Sequence, residues 1–260
     1  MHWLAVPIPS FLIVHPQGTA VFDTGLEKSL QSPDQAEIDA AFGTMAGLAT
    51  PDFKAGEEIA SRLQNFGIDP QKVDFLINSH LHLDHCGGNA SIPNARLVIQ
   101  KREWEAGAVP ELIAENHLIP RQYDLGHDRL EIDGEHDLFG DGSVLLLPTY
   151  GHTPGHQSMR VRLPDGDVML TADACYIREA LDGMVLPDPT VVRQADEMRK
   201  NFERLREYER NGTMLILGHD PQQWKLLNSG PIEEITSAKV MQSRQLAKPN
   251  RQEVKAHPLA

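Results

Sequence analysis

The chain has 260 residues, 40% hydrophobic and 23% charged, which suits one large domain and excludes disordered, collagen-like and disulfide-scaffold classes. Acidic residues outnumber basic ones by 37 to 24; the resulting charge of −13 repels phosphate backbones and anionic headgroups, so neither nucleic acid nor membrane is an expected partner. Two cysteines fit a reducing cytoplasm, no apolar run could span a bilayer, and the N-terminus lacks a secretory signal, while the twelve histidines stand out.

The first strands are predicted over Pro9–Val14 and Thr19–Phe22, on either side of Pro16-Gln17-Gly18, with Asp23-Thr24-Gly25 closing the second. Residues 26–52 are polar and weakly patterned, and read as a long loop with a short helix. Ile59, Leu63 and Phe66 recur at helical spacing, so a helix is expected over Ala55–Phe66 with Gly67 as its stop. Val73–Ile77 reads as a buried strand that runs into Ser79-His80. Further strands are expected over Leu97–Ile99, Arg129–Ile132, Val144–Leu147, Ser158–Leu163 and Asp167–Leu170, the last two joined by a hairpin turn at Asp165-Gly166. An amphipathic helix over Gln194–Arg210 places Met198, Phe202, Leu205 and Tyr208 on one face, and a strand over Thr213–Leu217 follows. A last helix from Pro231 and a flexible tail over 248–260 leave residues 1–247 as a single domain. Strand groups alternating with surface helices in both halves suggest an α/β class, with two packed sheets flanked by helices in an αββα sandwich. Periodicity alone does not separate that from other mixed architectures.

The chemistry is concentrated in Ser79-His80-Leu81-His82-Leu83-Asp84-His85-Cys86-Gly87-Gly88. Composition gives roughly 0.002 chance matches to His-x-His-x-Asp-His in such a chain. Neutral imidazoles suit borderline metals, and His80 and His82, two apart, can point to one side of an extended segment. Asp84 and His85 lie one step further on. Four donors in six residues are too many for one four-coordinate ion with an open position, so a second metal is implied. The competing reading is a polar loop whose histidines only bond one another. His152, Asp173 and His219 each follow a predicted strand, and singly each reads as an ordinary loop residue. Together they supply the donors a dinuclear site still lacks.

With this set the chain resembles the metallo-β-lactamase superfamily, from Val21-Phe22-Asp23-Thr24-Gly25 to Gly218-His219-Asp220. The resemblance implies that fold, with two mixed sheets and two divalent ions, most simply zinc, at one edge of the sandwich. It assigns His80, His82 and His152 to the first ion, Asp84, His85 and His219 to the second, and Asp173 as the bridge. Within the superfamily, Asp173-Ala174-Cys175-Tyr176, Val6-Pro7-Ile8-Pro9-Ser10-Phe11 and Gly151-His152-Thr153-Pro154-Gly155-His156 are similar to the quorum-quenching N-acyl homoserine lactonases. Those usually carry another strand before the Val-Pro-Ile-Pro stretch, where this chain starts almost at once. The branch implies a monomeric or homodimeric hydrolase whose small-molecule lactone is opened by a hydroxide held between the metals. Asp84, passing a proton to the leaving oxygen, and Tyr176, polarising the carbonyl, would be its catalytic residues.

Other readings share some of these features. A pyridoxolactone-type lactonase shares most of them. A glyoxalase II-like thioester hydrolase normally adds a basic helical part after the last ligand, and the stretch after His219 is short. A true β-lactamase usually lacks an aspartate at the bridging position, and a nuclease of this fold needs a basic groove. Outside the enzymes, a metal-binding sensor could keep the same ligands. Tyr176 also reads as a half-buried aromatic, Cys86 and Cys175 as small buried thiols, and His156 as a supporting or packing histidine. Phe42, Met45, Met184, Val185 and Leu186 are candidates for an apolar entrance or for packing. The remaining histidines, His2, His15, His117, His127, His136 and His257, fit no ligand pattern.

Overall fold

Short runs rich in β-branched and apolar residues form the strands, and their pairing sorts them into two sheets. The computed structural model describes residues 5–47, 49–188, 192 and 194–227. The helix expected from Pro231 and the tail over 248–260 lie outside them. The first sheet holds β1 (Phe11–His15), β2 (Gly18–Phe22), β3 (Phe75–Ile77), β4 (Arg96–Gln100) and β5 (Arg129–Ile132), side by side in that order. β1 is antiparallel to β2, and β2 to β5 run parallel. The second sheet comprises β6 (His136–Asp137), β7 (Val144–Pro148), β8 (Gln157–Leu163), β9 (Gly166–Leu170) and β10 (Met214–Ile216), ordered β10-β9-β8-β7-β6. Only β9 and β10 pair parallel there, so both sheets are mixed.

The helices are α1 (Gln35–Phe42), α2 (Ile59–Asn65), α3 (Leu83–Cys86), α4 (Lys101–Ala106), α5 (Pro110–Glu115), α6 (Pro120–Tyr123), α7 (Arg178–Gly183), α8 (Ala195–Arg210) and α9 (Pro221–Leu227). Phe22, Ile77, Val98, Leu146, Met159 and Ile216 fill the space between the sheets. On the outer face of the first sheet, Leu63 of α2 and Tyr123 of α6 pack with Leu76 and Leu97. On the outer face of the second, Met198, Phe202 and Leu205 of α8 cover Leu147 and Leu215. Each sheet thus buries both faces, giving the αββα sandwich. Among the described residues, no helix is long and apolar enough to cross a membrane.

Two local readings shift and a third gains detail. The helix expected from Ala55 begins at Ile59, because Gly56 takes a positive φ of 90° and its amide donates to the Glu58 side chain. The hairpin turns at Pro164-Asp165, since Leu163 pairs with Gly166. The short helix expected within residues 26–52 is α1, whose N-cap Asp34 accepts from the Ala36 amide, flanked by two 3-10 turns.

Parallel pairing brings the C-terminal ends of β2, β3 and β4 to one edge of the first sheet, and those of β9 and β10 lie at one edge of the second. Gln157 joins the two edges: its amide donates to the Ser79 carbonyl at 2.9 Å and its side chain to the Asn78 carbonyl at 2.8 Å. Loops leaving five strands therefore converge.

Candidate metal centre

The loop after β3 bends through Ser79 and His80, reaches His82 in extended backbone, and then turns into α3 with Asp84 and His85 in its single turn. Gly87 and Gly88 are required by close approach. A Cβ on Gly87 would lie 2.4 Å from the Leu83 carbonyl oxygen and 2.5 Å from the Glu27 nitrogen, and one on Gly88 would lie 2.5 Å from the Thr24 oxygen. The loop is thereby pressed against residues 24–27.

Each of the five predicted histidine donors has one ring nitrogen held outward by an oxygen. His82 Nε2 donates to the Asn116 carbonyl at 2.9 Å, His85 Nδ1 to the Asp23 carboxylate at 2.8 Å, and His219 Nδ1 to the Pro7 carbonyl at 2.8 Å. Ser79 Oγ donates to Asp23 at 2.8 Å, so it accepts from His80 Nδ1 at 3.0 Å. His152 Nδ1 faces the Tyr176 hydroxyl at 3.1 Å. The oxygens facing His80, His82, His85 and His219 place a hydrogen on the outer nitrogen, which leaves the inner nitrogen as the one able to offer a lone pair to a cation.

The inner nitrogens converge in two groups. His80 Nε2, His82 Nδ1 and His152 Nε2 lie 2.9–3.2 Å from one another. Lone pairs that close repel unless a cation sits among them. Burial holds His80, His82 and His152 below the usual imidazole range, keeping them neutral ligands. In the second group, His85 Nε2 and His219 Nε2 each lie 3.6 Å from Asp84 Oδ2. Burial disfavours charge on these two rings, but the surrounding carboxylates together outweigh it, Asp173 and Asp84 at both and Asp23 also at His85, pushing His219 up to about 9 and His85 well above the ordinary value.

Asp173 stands between the groups. Its Oδ2 is 3.2 Å from His152 Nε2 and 3.8 Å from His80 Nε2, while its Oδ1 is 3.2 Å from His85 Nε2 and 2.9 Å from His219 Nε2. Burial alone would raise its carboxyl, yet His219, His85 and His152 hold it well below the usual carboxylate range. His85 Nε2 and Asp173 Oδ1 are buried and face each other at 3.2 Å without an aligned hydrogen bond, an arrangement that bound cations would satisfy. The donors His80, His82, His152 and Asp173 form one ligand-competent set, and Asp84, His85 and His219 a second. The donor chemistry and the unsatisfied atoms both fit two divalent ions.

All seven sequence-predicted donors are therefore brought together, with Tyr176 beside them. His156 stands one step back: its Nε2 accepts the Asp173 amide at 3.1 Å, and burial lowers it to about 3. Cys86 and Cys175 are buried free thiols. Phe42 and Met45, with Leu26 and Leu83, line a cleft of about 1450 Å³ that reaches Asp84, whereas Met184 and Leu186 pack against the α8 core and Val185 is exposed. The outer-nitrogen partners Asp23, Asn116 and Pro7 were not singled out from the sequence. Only Asp23 left a signal there, as an acid closing a strand that leads into the edge where His80 emerges.

A sequence profile described as the Metallo-beta-lactamase superfamily matches residues 3–219. The N-acyl homoserine lactonase AttM of Azorhizobium caulinodans is 32% identical over 237 residues, covering 87% of this chain and 86% of the relative. The N-acyl homoserine lactonase AiiA of Bacillus thuringiensis subsp. kurstaki is 28% identical over 225 residues, covering 85% and 84%. A solved N-acyl homoserine lactone hydrolase, with N-hexanoyl-L-homoserine at its catalytic metal centre, superposes with a TM-score of 0.76 at 27% identity, covering 89% of this chain and 88% of that one. The matched span runs from the N-terminal stretch to His219, so it takes in both sheets and every clustered donor: this chain belongs to the metallo-β-lactamase superfamily.

Proposed function

We propose that the chain is a metal-dependent hydrolase that opens the lactone ring of N-acyl homoserine lactones to the N-acyl homoserine. One observation carries this reading furthest: a two-sided donor cluster, with Asp173 facing both sides, lies beside a neutral phenol and meets an apolar cleft at Asp84. The likeness to curated N-acyl homoserine lactonases over most of the chain supports the substrate class.

In this reading His80, His82 and His152 would hold one ion and Asp84, His85 and His219 the other, with Asp173 available to both. Zinc is the ion we propose, since a histidine and carboxylate set without thiolates suits it. Two divalent ions bound there polarise an ester carbonyl and make water a competent nucleophile near neutral pH. With the inner nitrogen of His152 engaged, its outer N–H donates to the Tyr176 oxygen and leaves the phenolic hydrogen free for the substrate. Burial pushes the Tyr176 phenol far up, so it remains a neutral donor aimed at the oxygen where negative charge develops. Asp84 lines the cleft with a side chain 26% exposed, open enough to carry a proton to the leaving alkoxide oxygen. Leu26, Phe42 and Met45 give the acyl tail an apolar wall and exclude water. We place the reaction in the cytoplasm, where two buried free thiols stay reduced, and in a single domain over 1–247.

The test is a comparison of kcat/KM for metal-replete protein on acyl homoserine lactones, other lactones, lactoylglutathione and a cephalosporin. The acyl homoserine lactones should lead. If lactoylglutathione or a pyridine-fused lactone turned over about tenfold better than all of them, the substrate assignment would fail.

A further inference from the structure

Outside the donor cluster, one buried acid plays no part in the chemistry above. Glu103 lies in α4, just past the C-terminal end of β4, and is fully buried. A carboxylate in such a place is costly unless hydrogen bonds satisfy it. Three donors meet it. Oε1 accepts the Leu81 amide at 3.1 Å, and Oε2 accepts the Thr153 hydroxyl and the Gly155 amide, both at 2.8 Å.

Those donors belong to two different ligand loops. Leu81 sits between His80 and His82, and Thr153 directly follows His152. One carboxylate therefore spans the loops, with one oxygen for each. The contact is built at main-chain distance: a Cβ on Gly155 would lie 2.2 Å from the Glu103 nitrogen. The other end of α4 grips the same loop, since a Cβ on Gly107 would lie 2.8 Å from Leu81 Cδ1, and the Gly107 carbonyl accepts the Tyr123 hydroxyl at 2.8 Å. Leu81 is thus held by both its amide and its side chain, which leaves the flanking imidazoles little freedom to move.

We propose that Glu103 is a positioning residue: its carboxylate sets the spacing of the His80–His82 and His152 loops, and thereby that half-site's affinity for a divalent ion. The proposal rests on the ligand assignment above but not on the substrate. Glutamine at this position keeps the size but turns its amide hydrogens toward at least one of the surrounding N–H or O–H donors, so the spacing cannot be kept.

The experiment is a titration of metal-free protein with cobalt(II) against a chromophoric chelator, for the parent, Glu103→Gln and Thr153→Val. The two ions are assigned through His82→Ala and His219→Ala. In Glu103→Gln the ion held by His80, His82 and His152 should weaken by about 10–100-fold, the usual effect of losing a group that orients a metal ligand. The other ion should hold within about threefold, and Thr153→Val should weaken the same first ion by less. Equal weakening of both ions would mark Glu103 as a general structural residue, and unchanged affinity in both variants would also overturn the proposal. If Glu103→Gln does not fold, Thr153→Val decides by the same criterion. A parent that takes up fewer than two ions would instead sink the ligand assignment itself.

Discussion

The two sheets deliver their donors in opposite ways. After β3, four donors come from one short stretch, and three of their rings are steadied by groups from elsewhere: Asp23 after β2 with the neighbouring Ser79, and Asn116 after α5. The second sheet supplies one donor from each of three loops, and the main chain does most of the holding. The Thr171 amide donates to the Ile216 carbonyl at 2.9 Å, and beyond the 3-10 turn over Ala172–Ala174 the Gly218 and His219 amides donate to the Cys175 and Tyr176 carbonyls at 3.0 Å, tying the two loops together past the ends of β9 and β10. The Gly151 amide closes the His152 turn on the Thr153 carbonyl at 3.1 Å. A crowded loop cannot orient four donors by its own backbone, so it borrows partners, whereas a loop between paired strands inherits its position. The first arrangement should therefore be sensitive to remote side chains and the second to the strands themselves.

The largest expected effect is from Asp173→Ala, which removes the one residue facing both groups. Metal content should fall from about two equivalents to below about one, and lactone hydrolysis should be lost with it. Retention of both ions on elemental analysis would refute the bridging role.

Tyr176→Phe probes whether the second sheet tolerates side-chain change. The Tyr176 carbonyl still receives the His219 amide, so fold and metal content should survive. Loss of the hydroxyl should lower kcat by about 10–1000-fold, up to the effect of removing one oxyanion donor. An unchanged kcat would return Tyr176 to packing.

Asp23→Asn does the reverse in the first region, touching no ligand loop by sequence yet freeing His85 and Ser79. Asparagine tolerates the positive φ of 58° there. The affinity of the ion at Asp84, His85 and His219 should drop by about 10–100-fold. Stability of the metal-free protein should fall by about 2 kcal/mol, the scale of a hydrogen bond to a charged group. Metal titration and urea unfolding of the same preparation would check both.

The smallest effect lies outside both regions and serves as a control. Hydrogen bonds from Gln31 and Ser61, with the Gly56 amide, lower Glu58 to about 2. A depressed carboxylate contributes stability above its unfolded pKa of about 4.3 and loses it as pH falls toward its folded value. Metal-free Glu58→Gln should therefore show a shallower loss of melting temperature from pH 5 to 2 than the parent, with metal affinity unchanged. Matching profiles would contradict the shift.

The contrast between the regions also explains what could be read in advance. Four donors within six residues are legible because metal ligation demands those residue types at short spacing. His152, Asp173 and His219 gained meaning only as a set. Phe42 and Met45 could be named as entrance candidates but not told from Met184 and Leu186, because apolar letters look alike whether they line a cleft or fill a core. α2 starts four residues later than its periodicity predicts, because a local turn held by Glu58 competes with the helical repeat. Helices α4 to α6, with one to two turns each, are too short to show a repeat.

The sequence by itself determined the alternation of strands and helices and the four clustered candidate donors after β3, since burial periodicity and ligand chemistry are written in residue types. Tertiary structure alone decided how those donors are held. Pro7 and Asn116 contribute carbonyl oxygens, which every residue carries, so no letter distinguishes them. Glu103 has the letter of an ordinary first-turn helix acid, and only the packing of α4 against two ligand loops turns it inward. Donor type is a property of a residue, but orientation is a property of its neighbours, and these neighbours lie far apart along the chain.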